Sequence, residues 1–176
     1  GEIIGSVGGG EVESLVVANA ISAMQTGTPI LLPYSFTDPE KGDPGICGGQ
    51  MDVYVDPINP PITIVIIGAG HVGKAVASLA TWMGYRLIIW DDREEFAKKE
   101  DFPDAEMVLT GPIEKLVEKI SINQHTQLIL TTRNTGLDSH GIPEFLKTDA
   151  GYIGVIGSKR RWEVAKKKMI KNGVKK

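Results

Sequence analysis

The sequence predicts an α/β protein in which a doubly wound parallel sheet follows a small N-terminal α/β lobe. Three observations support this prediction. The apolar run Ile62–Ile67 has the composition of a strand that is buried on both faces. The segment Gly68-Ala69-Gly70-His71-Val72-Gly73 follows at once and fits the pattern G-x-G-x-x-G. Beyond it, strand and helix patterns alternate, as they do in parallel sheets with helical crossovers.

The N-terminal lobe is predicted to comprise residues 1–58 and to carry a Cys-Gly-Gly loop between two strands. Its elements are a helix at Glu11–Thr26, a strand at Pro29–Phe36 and a strand at Met51–Val55. The segment Asp56–Pro61 reads DPINPP and should be a stiff linker, because proline fixes its own φ angle and restricts the preceding residue. The boundary between the two domains is placed there.

Residues 62–176 should form the Rossmann-like, dinucleotide-binding type of domain. Strands are predicted at Ile62–Ile67, Arg86–Trp90, Ala105–Leu109, Gln127–Thr131 and Tyr152–Ile156. Helices are predicted at His71–Met83, Ile113–Ile120, Ile142–Lys147 and Lys159–Asn172. Ligands of such sheets bind beyond the carboxyl ends of the strands. Four loops should therefore converge on one crevice: Gly68–Gly73, Asp91–Arg93, Thr132–Asp138 and Gly157–Arg161.

Each glycine of the motif has a predicted role. Gly68 allows the tight turn after the strand, Gly70 lets a phosphate approach the backbone, and Gly73 lets the helix pack close to the strand. The helix N-terminus favours an anion. Asp91 lies 18 residues after Gly73, where an acid that binds ribose is expected, and it would favour NAD over NADP. In the alternative interpretation the glycines serve packing alone, and Asp91 and Asp92 cap an element or face solvent.

Three further residues are candidates for ligand contact. Cys47 precedes Gly48-Gly49, and these glycines would leave room for a ligand at a thiolate that suits a transition metal; a lone cysteine is otherwise a small buried hydrophobe. His71 could donate to a phosphate or could be a surface residue. Ser158 can cap the last helix and contribute to a second anion site, for which the alternative is an ordinary helix start.

The composition excludes several classes of function. No apolar run approaches the roughly 20 residues that span a bilayer, and a single cysteine allows no internal disulfide, which favours the cytoplasm. Ser158–Lys176 holds nine Lys/Arg and one Glu, but the apolar residues there recur at helical spacing. The cations are therefore expected on the solvated face of an amphipathic helix rather than on nucleic acid. No zinc-ligand spacing is present.

Beyond the glycine motif, several short sequences resemble the xanthine dehydrogenase accessory factors (XdhC/CoxI-like proteins) over nearly the whole chain. They are Gly5-Ser6-Val7-Gly8-Gly9-Gly10-Glu11-Val12-Glu13, Cys47-Gly48-Gly49, Val53-Tyr54-Val55, Gly68–Gly73 with its histidine, Asp91-Asp92-Arg93, Phe102-Pro103 and Tyr152–Ser158. The chain departs from the family at Thr132-Arg133, where members often have Thr-His. The usual terminal segments before Gly1 and after Lys176 are absent, so a short member or a fragment is expected.

The resemblance implies a cytoplasmic molybdenum cofactor chaperone without catalysis of its own. Such a protein binds the molybdopterin-type cofactor, possibly in its dinucleotide form, while a cysteine desulfurase supplies the terminal sulfido ligand. It then passes the cofactor to an apo molybdenum hydroxylase of the xanthine dehydrogenase type. Carried over by position, Cys47 would contact the cofactor or ligate molybdenum, and Gly68, Gly70 and Gly73 would hold a phosphate. Exposed strand edges in the small lobe also favour a homodimer.

An NAD(P)-dependent oxidoreductase is the main alternative, and a nucleotide-sensing regulatory domain is a third. The glycine motif and Asp91 favour these alternatives. The absence of a separate substrate domain and of a recognisable Tyr-Lys or His-Asp pair for proton transfer disfavours an oxidoreductase.

Overall fold

The computed structural model of the protein describes residues 2–37 and 48–174. By its internal contacts the chain divides into two compact units, Gly1–Pro60 and Pro61–Lys176. Within the described ranges, no helix combines the length and apolar character needed to cross a membrane.

The first unit contains the predicted helix and two strands, and the two strands form an antiparallel pair. Its elements are α1 (Gly10–Thr26), β1 (Ile30–Ser35) and β2 (Gln50–Val55), and Ile30 lies opposite Val55 in the strand pair. Helix α1 ends at Gly27, which adopts a left-handed conformation and donates its N–H to the Ala23 carbonyl. Among the described residues of this unit, the buried apolar side chains are Val12, Val16 and Ala23.

The glycine-rich segment before α1 folds around one of the chain's own carboxylates. The hydroxyl of Ser6 and the N–H groups of Val7 and Gly9 all donate to the Glu13 carboxylate, the two N–H groups at 3.3 and 3.2 Å. The hydrogen bond from Ser6 is the main reason that the pKa of Glu13 lies below its ordinary value. Glu13 thus occupies the position that an external anion would need in this loop.

The second unit is built on a five-stranded sheet in which all strands are parallel. Its strands are β3 (Thr63–Ile67), β4 (Arg86–Trp90), β5 (Met107–Leu109), β6 (Thr126–Leu130) and β7 (Tyr152–Val155). Its helices are α2 (His71–Trp82), α3 (Leu116–Lys119), α4 (Thr135–Phe145) and α5 (Lys159–Lys171). The strand order is β5-β4-β3-β6-β7. The connections therefore run outward in both directions from β3, which confirms the predicted doubly wound, Rossmann-like fold.

Both faces of the sheet are covered, and this explains why β3 has no polar alternation. Val65 and Ile67 belong to one buried cluster, whereas Ile66 belongs to the cluster on the other face. Ile67 lies beside Trp90 of β4 and Leu130 of β6. The carboxyl ends of these three central strands are therefore level with one another, and their loops emerge at one edge of the sheet.

Helix α4 differs from the prediction, because it begins seven residues before the predicted start at Ile142. The side chain of Asn134 caps it by accepting a hydrogen bond from the Gly136 N–H. Gly136, Gly141 and Pro143 are typical helix breakers, and they hide the helix pattern of this segment in the sequence. Packing explains Gly141, since a Cβ there would lie 2.5 Å from Cδ1 of Ile113. Tertiary packing outweighs local propensity in this helix.

Candidate functional site

A cavity of about 420 Å³ opens at the carboxyl ends of β3, β4, β6 and β7. This volume is within the range of small-molecule sites. The four predicted loops do converge on it. Its lining residues are Gly68, Gly70, His71 and Val72 after β3; Trp90, Asp91, Asp92, Arg93 and Phe96 at the end of β4 and after it; Thr131, Thr132, Arg133, Asn134 and Leu137 after β6; and Ile156 and Arg161 after β7.

Two glycines of the motif are needed for packing. Gly68 has a φ of 113°, and a Cβ on it would lie 2.9 Å from the backbone of Thr131 and Thr132. The Thr131 hydroxyl donates to the Gly68 carbonyl at 2.5 Å. A Cβ on Gly73 would lie only 1.9 Å from that same carbonyl oxygen. Gly73 does not line the cavity, so its role is the predicted close contact of α2 with the loop.

Gly70 has the opposite environment. Apart from Gly70 itself and its two neighbours in the chain, no described residue has an atom within 4 Å of the position that its Cβ would occupy, and Gly70 lines the cavity. Helix α2 begins immediately after it without a side-chain cap from the described residues. The first N–H groups of the helix and its dipole therefore favour an anion at this end of the cavity. His71 and Val72 line the cavity beside Gly70.

Asp91 joins the glycine loop to the end of β4. Its side chain is almost fully buried, and Oδ2 accepts the Ala69 N–H at 2.8 Å. Oδ1 accepts the backbone N–H of Arg93 at 3.0 Å and its Nε–H at 2.9 Å, while Arg93 Nη2 donates to Oδ2 at 3.1 Å. Burial alone would raise the pKa of Asp91, but the hydrogen bonds from Arg93 and Ala69 outweigh it and lower the pKa. Both carboxylate oxygens of Asp91 therefore already accept hydrogen bonds from within the protein.

Acidification is expected to release this stabilisation. Because the pKa of Asp91 is lower in the folded state, the contribution is fully present above the ordinary carboxyl range of about 3.9 and is lost as the pH falls through the folded value. The free energy of unfolding in urea should therefore fall more steeply between about pH 5 and pH 3 in the wild type than in Asp91→Asn. The exposed Asp104→Asn is the matched control and should keep the wild-type slope. Equal slopes for the wild type and Asp91→Asn would contradict this assignment.

The neighbouring Asp92 is the more exposed carboxylate of the pair. Its side chain is 40% exposed, and its nearest ion-pair distance is 3.8 Å, to Arg93 Nε. Partial burial and the adjacent Asp91 raise its pKa. The Arg93 guanidinium lies over the Phe96 ring, with Cζ 3.8 Å from the ring centroid.

A second buried network forms the wall on the other side of β3. Arg161 Nη2 donates to Asp138 Oδ2 at 2.5 Å and to Thr132 Oγ1 at 2.7 Å, and Nη1 donates to the Ile156 carbonyl at 3.1 Å. The Thr132 hydroxyl in turn donates to Asp138 Oδ1. The side chain of Asp138 is 1% exposed and that of Arg161 is 19% exposed. The predictions missed this network, because Asp138 and Arg161 are far apart in sequence and no local motif joins them.

The arginines that line the cavity differ in whether an aspartate already neutralises their charge. Arg93 and Arg161 are both neutralised by buried aspartates. Arg133 is exposed and lines the cavity, and it makes no ion pair with the part of the chain that the structure describes. It stands at the position where the resembling family often has histidine.

The remaining candidate residues lie elsewhere. Ser158 caps α5 by accepting the Arg161 N–H at 3.2 Å and does not line the cavity. Gly48 and Gly49 lie in the first unit, where Gly48 donates to the Phe36 carbonyl and the Phe36 N–H donates to Gly49. Cys47 lies outside the described residues. Within residues 2–37 and 48–174, no three acidic, histidine or cysteine side chains cluster as metal ligands would.

Comparison with known proteins places the second unit in a family. Residues 64–176 match the family model described as the XdhC Rossmann domain. An uncharacterized protein, YqeB, of Escherichia coli K12 is 27% identical over 99% of this chain and 32% of its own length. A protein of Bacillus subtilis, described as a probable subunit of xanthine dehydrogenase, is 24% identical over 62% of this chain and 33% of its own. The chain thus spans about a third of these curated relatives.

A solved structure shares the fold over most of the chain. It is described as a xanthine dehydrogenase from Bacillus halodurans and superposes with a TM-score of 0.58 at 16% identity. The match covers 93% of this chain and 72% of that one.

Proposed function

Because the chain belongs to the XdhC Rossmann-domain family, we propose that it is an accessory protein of a xanthine dehydrogenase-type molybdenum hydroxylase. In this proposal it binds the molybdenum cofactor, holds it while the terminal sulfido ligand is installed, and delivers it to the apoenzyme. The Bacillus subtilis relative, with its description as part of a xanthine dehydrogenase, supports the choice of target.

The observation that carries the proposal is the open end of the cavity at Gly70. The absence of any described atom near its Cβ position leaves room for a phosphate oxygen against the backbone. The first N–H groups of α2 can donate to that phosphate. His71 lines the same cavity, as does Arg133, which has no ion-pair partner among the described residues. These donors fit the phosphate group of a pterin cofactor. The molybdenum of such a cofactor carries the sulfido ligand that the hydroxylase requires.

Cys47 is proposed as the contact for the metal end of the cofactor. A thiolate is a soft ligand that suits a transition metal, and the two following glycines leave the backbone around it bare. Both Gly48 and Gly49 have positive φ angles, 76° and 98°, which L side chains rarely adopt. The same proposal includes a cysteine desulfurase as the partner that supplies the sulfido ligand. It also includes a cytoplasmic location and a homodimer.

The cavity offers more for binding than for acid–base catalysis. Of its charged lining residues, Asp91, Arg93 and Arg161 are already tied in internal pairs. A binding function without a reaction at this site is therefore part of the proposal. The second candidate is a nucleotide-binding role, as an NAD(P)-dependent oxidoreductase or as a nucleotide sensor, and the acidic end of β4 favours it.

Substitution of Gly70 by alanine should abolish cofactor retention and leave the fold intact. The new methyl group would occupy the open space at the anion end of the cavity without meeting a described atom. We expect at least a tenfold loss of bound molybdenum and pterin, because the donors at the helix start would be blocked. The measurement is the molybdenum and pterin content of protein purified from cells that make the cofactor. Circular dichroism and the melting temperature should match the wild type.

The Cys47→Ala variant tests the contact that is proposed at the molybdenum end of the cofactor. If the proposal is correct, the variant loses molybdenum and fails to activate the apo hydroxylase while its fold is unchanged. Wild-type protein that carries NAD(H) or another nucleotide and no molybdenum would move the function to the second candidate. Unchanged metal content and target activation in both variants would refute the proposed site.

A further inference from the structure

One half of the parallel sheet lacks a helical cover on the side where α2 packs. Ile66 of β3 belongs to the buried cluster under α2 and lies beside Ile129 of β6, which in turn lies beside Gly154 of β7. Laterally paired residues point to the same face of a sheet. Ile129 is nevertheless only half-buried, and it belongs to neither buried cluster of the described residues. The α2 side of β6 and β7 is therefore open, although parallel sheets are normally covered on both faces.

The two helices that follow β6 and β7 lie on the opposite face of the sheet. Phe145 of α4 and Met169 of α5 belong to the buried cluster on that side. On the open side, the Tyr152 ring lies against Gly154, since a Cβ on Gly154 would be 2.6 Å from Cε1 of Tyr152. The tyrosine itself is 56% exposed. Ile129, Tyr152 and Gly154 thus form a shallow apolar surface, which we call the open floor.

Helix α2 forms a wall beside the open floor. Lys74 pairs with Asp101 at 3.0 Å, in the connection from β4 to β5, so this side of α2 faces β5. Residues two positions apart on a helix point about 200° apart, so Val72 and Val76 point toward β6 instead. The side chains on this side and on the adjoining outer side of α2 are all apolar, and most are exposed. They form the apolar stripe: Val72, Ala75, Val76, Leu79, Trp82 and Met83.

The apolar stripe has the character of a protein interface. Trp82 is 83% exposed, and Leu79 and Met83 are exposed beside it on the same helix. Contiguous exposed apolar patches mark interaction sites, and tryptophan is enriched at their energetic centres. Because the stripe contains no charged residue, a second copy of the same surface can approach it without repulsion between like charges.

The shape of this surface identifies a second copy as the occupant. Each copy presents one protruding helix, α2, beside one uncovered half of its sheet. A two-fold axis that places α2 of one copy on the open floor of its partner also places the partner's α2 on the open floor of the first. Both open halves then receive the helical cover that a parallel sheet requires.

We propose that the apolar stripe of α2 and the open floor form an isologous interface between two copies of the chain. In this arrangement Leu79 and Trp82 of one copy pack on the partner's open floor, and the two α2 helices lie side by side. The inference rests on the proposed function, which includes a homodimer, and it names the surface that forms it. Val72 belongs to the stripe and also lines the cavity, so the interface extends to the ligand site.

Sedimentation velocity of the full chain over a range of concentrations tests this interface. The wild type should form a dimer. Leu79→Glu would place two carboxylates in an apolar interface, one from each copy, and should raise the dissociation constant of the dimer at least about a hundredfold. Leu146→Glu is the matched control, because Leu146 is 61% exposed, compared with 55% for Leu79, and lies at the end of α4. It should leave the dissociation constant within about threefold of the wild type.

A complementary pair of variants tests which surfaces meet. Tyr152→Lys should also weaken the homodimer, because it places an ammonium group against the partner's apolar stripe. A mixture of Leu79→Glu and Tyr152→Lys should recover the dimer, since the introduced carboxylate of one copy then meets the introduced ammonium group of the other. The second contact of this heterodimer is that of the wild type. Native mass spectrometry distinguishes the heterodimer from either homodimer, and its recovery shows that both variants fold.

The inference and the proposed function fail in different ways. A monomeric wild type, an unchanged dimer in both Leu79→Glu and Tyr152→Lys, or a mixture of these variants that stays monomeric would overturn the inference. Retained molybdenum and pterin in any of these cases would leave the cofactor-binding function in place. A dimer with the expected response to both substitutions, in protein that never retains molybdenum, would support the inference and refute the proposed function.

Discussion

Gly73→Ala is expected to destabilise the Pro61–Lys176 unit by about 3 kcal/mol, the upper end of the usual cost of overpacking. The new Cβ would lie 1.9 Å from the Gly68 carbonyl oxygen, and that carbonyl is also held by the Thr131 hydroxyl. Relief therefore requires movement of α2 away from the loop. The measurement is the free energy of unfolding in urea, followed by tryptophan fluorescence, to which the buried Trp90 contributes.

Gly70→Ala is the matched comparison, three residues earlier in the same motif. Its Cβ would meet no described atom, and its φ of −73° is open to alanine. The variant should therefore unfold at the wild-type denaturant concentration. If both variants had the same stability, the distinction between a packing glycine and a ligand-facing glycine would be wrong.

The second large effect is expected for Arg161→Met, also about 3 kcal/mol. Methionine retains much of the side-chain volume but removes the partner of a carboxylate that is only 1% exposed. Asp138 would keep the Thr132 hydroxyl as a hydrogen-bond partner and lose its counter-charge. Urea unfolding at neutral pH measures the loss, and cofactor content should fall because Arg161 also lines the cavity.

Arg160→Met is the control for this variant, since the adjacent arginine is exposed and does not line the cavity. It should change stability by less than about 0.5 kcal/mol. The double variant Asp138→Leu/Arg161→Met should recover part of the loss, because it leaves no unpaired buried charge. Equal effects of Arg160→Met and Arg161→Met would contradict the role of the network.

The fold was predictable because its signals are local and repeated. The apolar runs that became β3 and β4 are buried on both faces, so each shows a strand composition without reference to the rest of the chain. Helix α4 was only partly predictable. Its glycines and Pro143 oppose helix formation locally, and the contact with Ile113 that accounts for Gly141 involves a residue 28 positions away.

The backbone of the site was predictable and its charge pairing was not. Glycine at positions 68, 70 and 73 follows from the motif, because Gly68 has the positive φ of the turn after β3 and Gly73 lies against the Gly68 carbonyl. Whether Asp91 points toward a ligand or toward the Ala69 N–H depends on how β3 and β4 lie side by side. The partnership of Asp138 and Arg161 likewise exists only once α4 and α5 are packed together. The spacing of residues in the sequence therefore predicts neither the Asp91–Ala69 hydrogen bond nor the Asp138–Arg161 ion pair.

The small core of the first unit has a consequence for its dynamics. A two-stranded sheet is marginally stable by itself, and the apolar burial described for this unit is limited to Val12, Val16 and Ala23. Little free energy therefore opposes local opening of β1 and β2, which flank the Cys-Gly-Gly loop. Amide protons of these strands should exchange with deuterated solvent much faster than those of β3 and β6. Strands β1 and β2 can thus rearrange while the cavity of the second unit keeps its form.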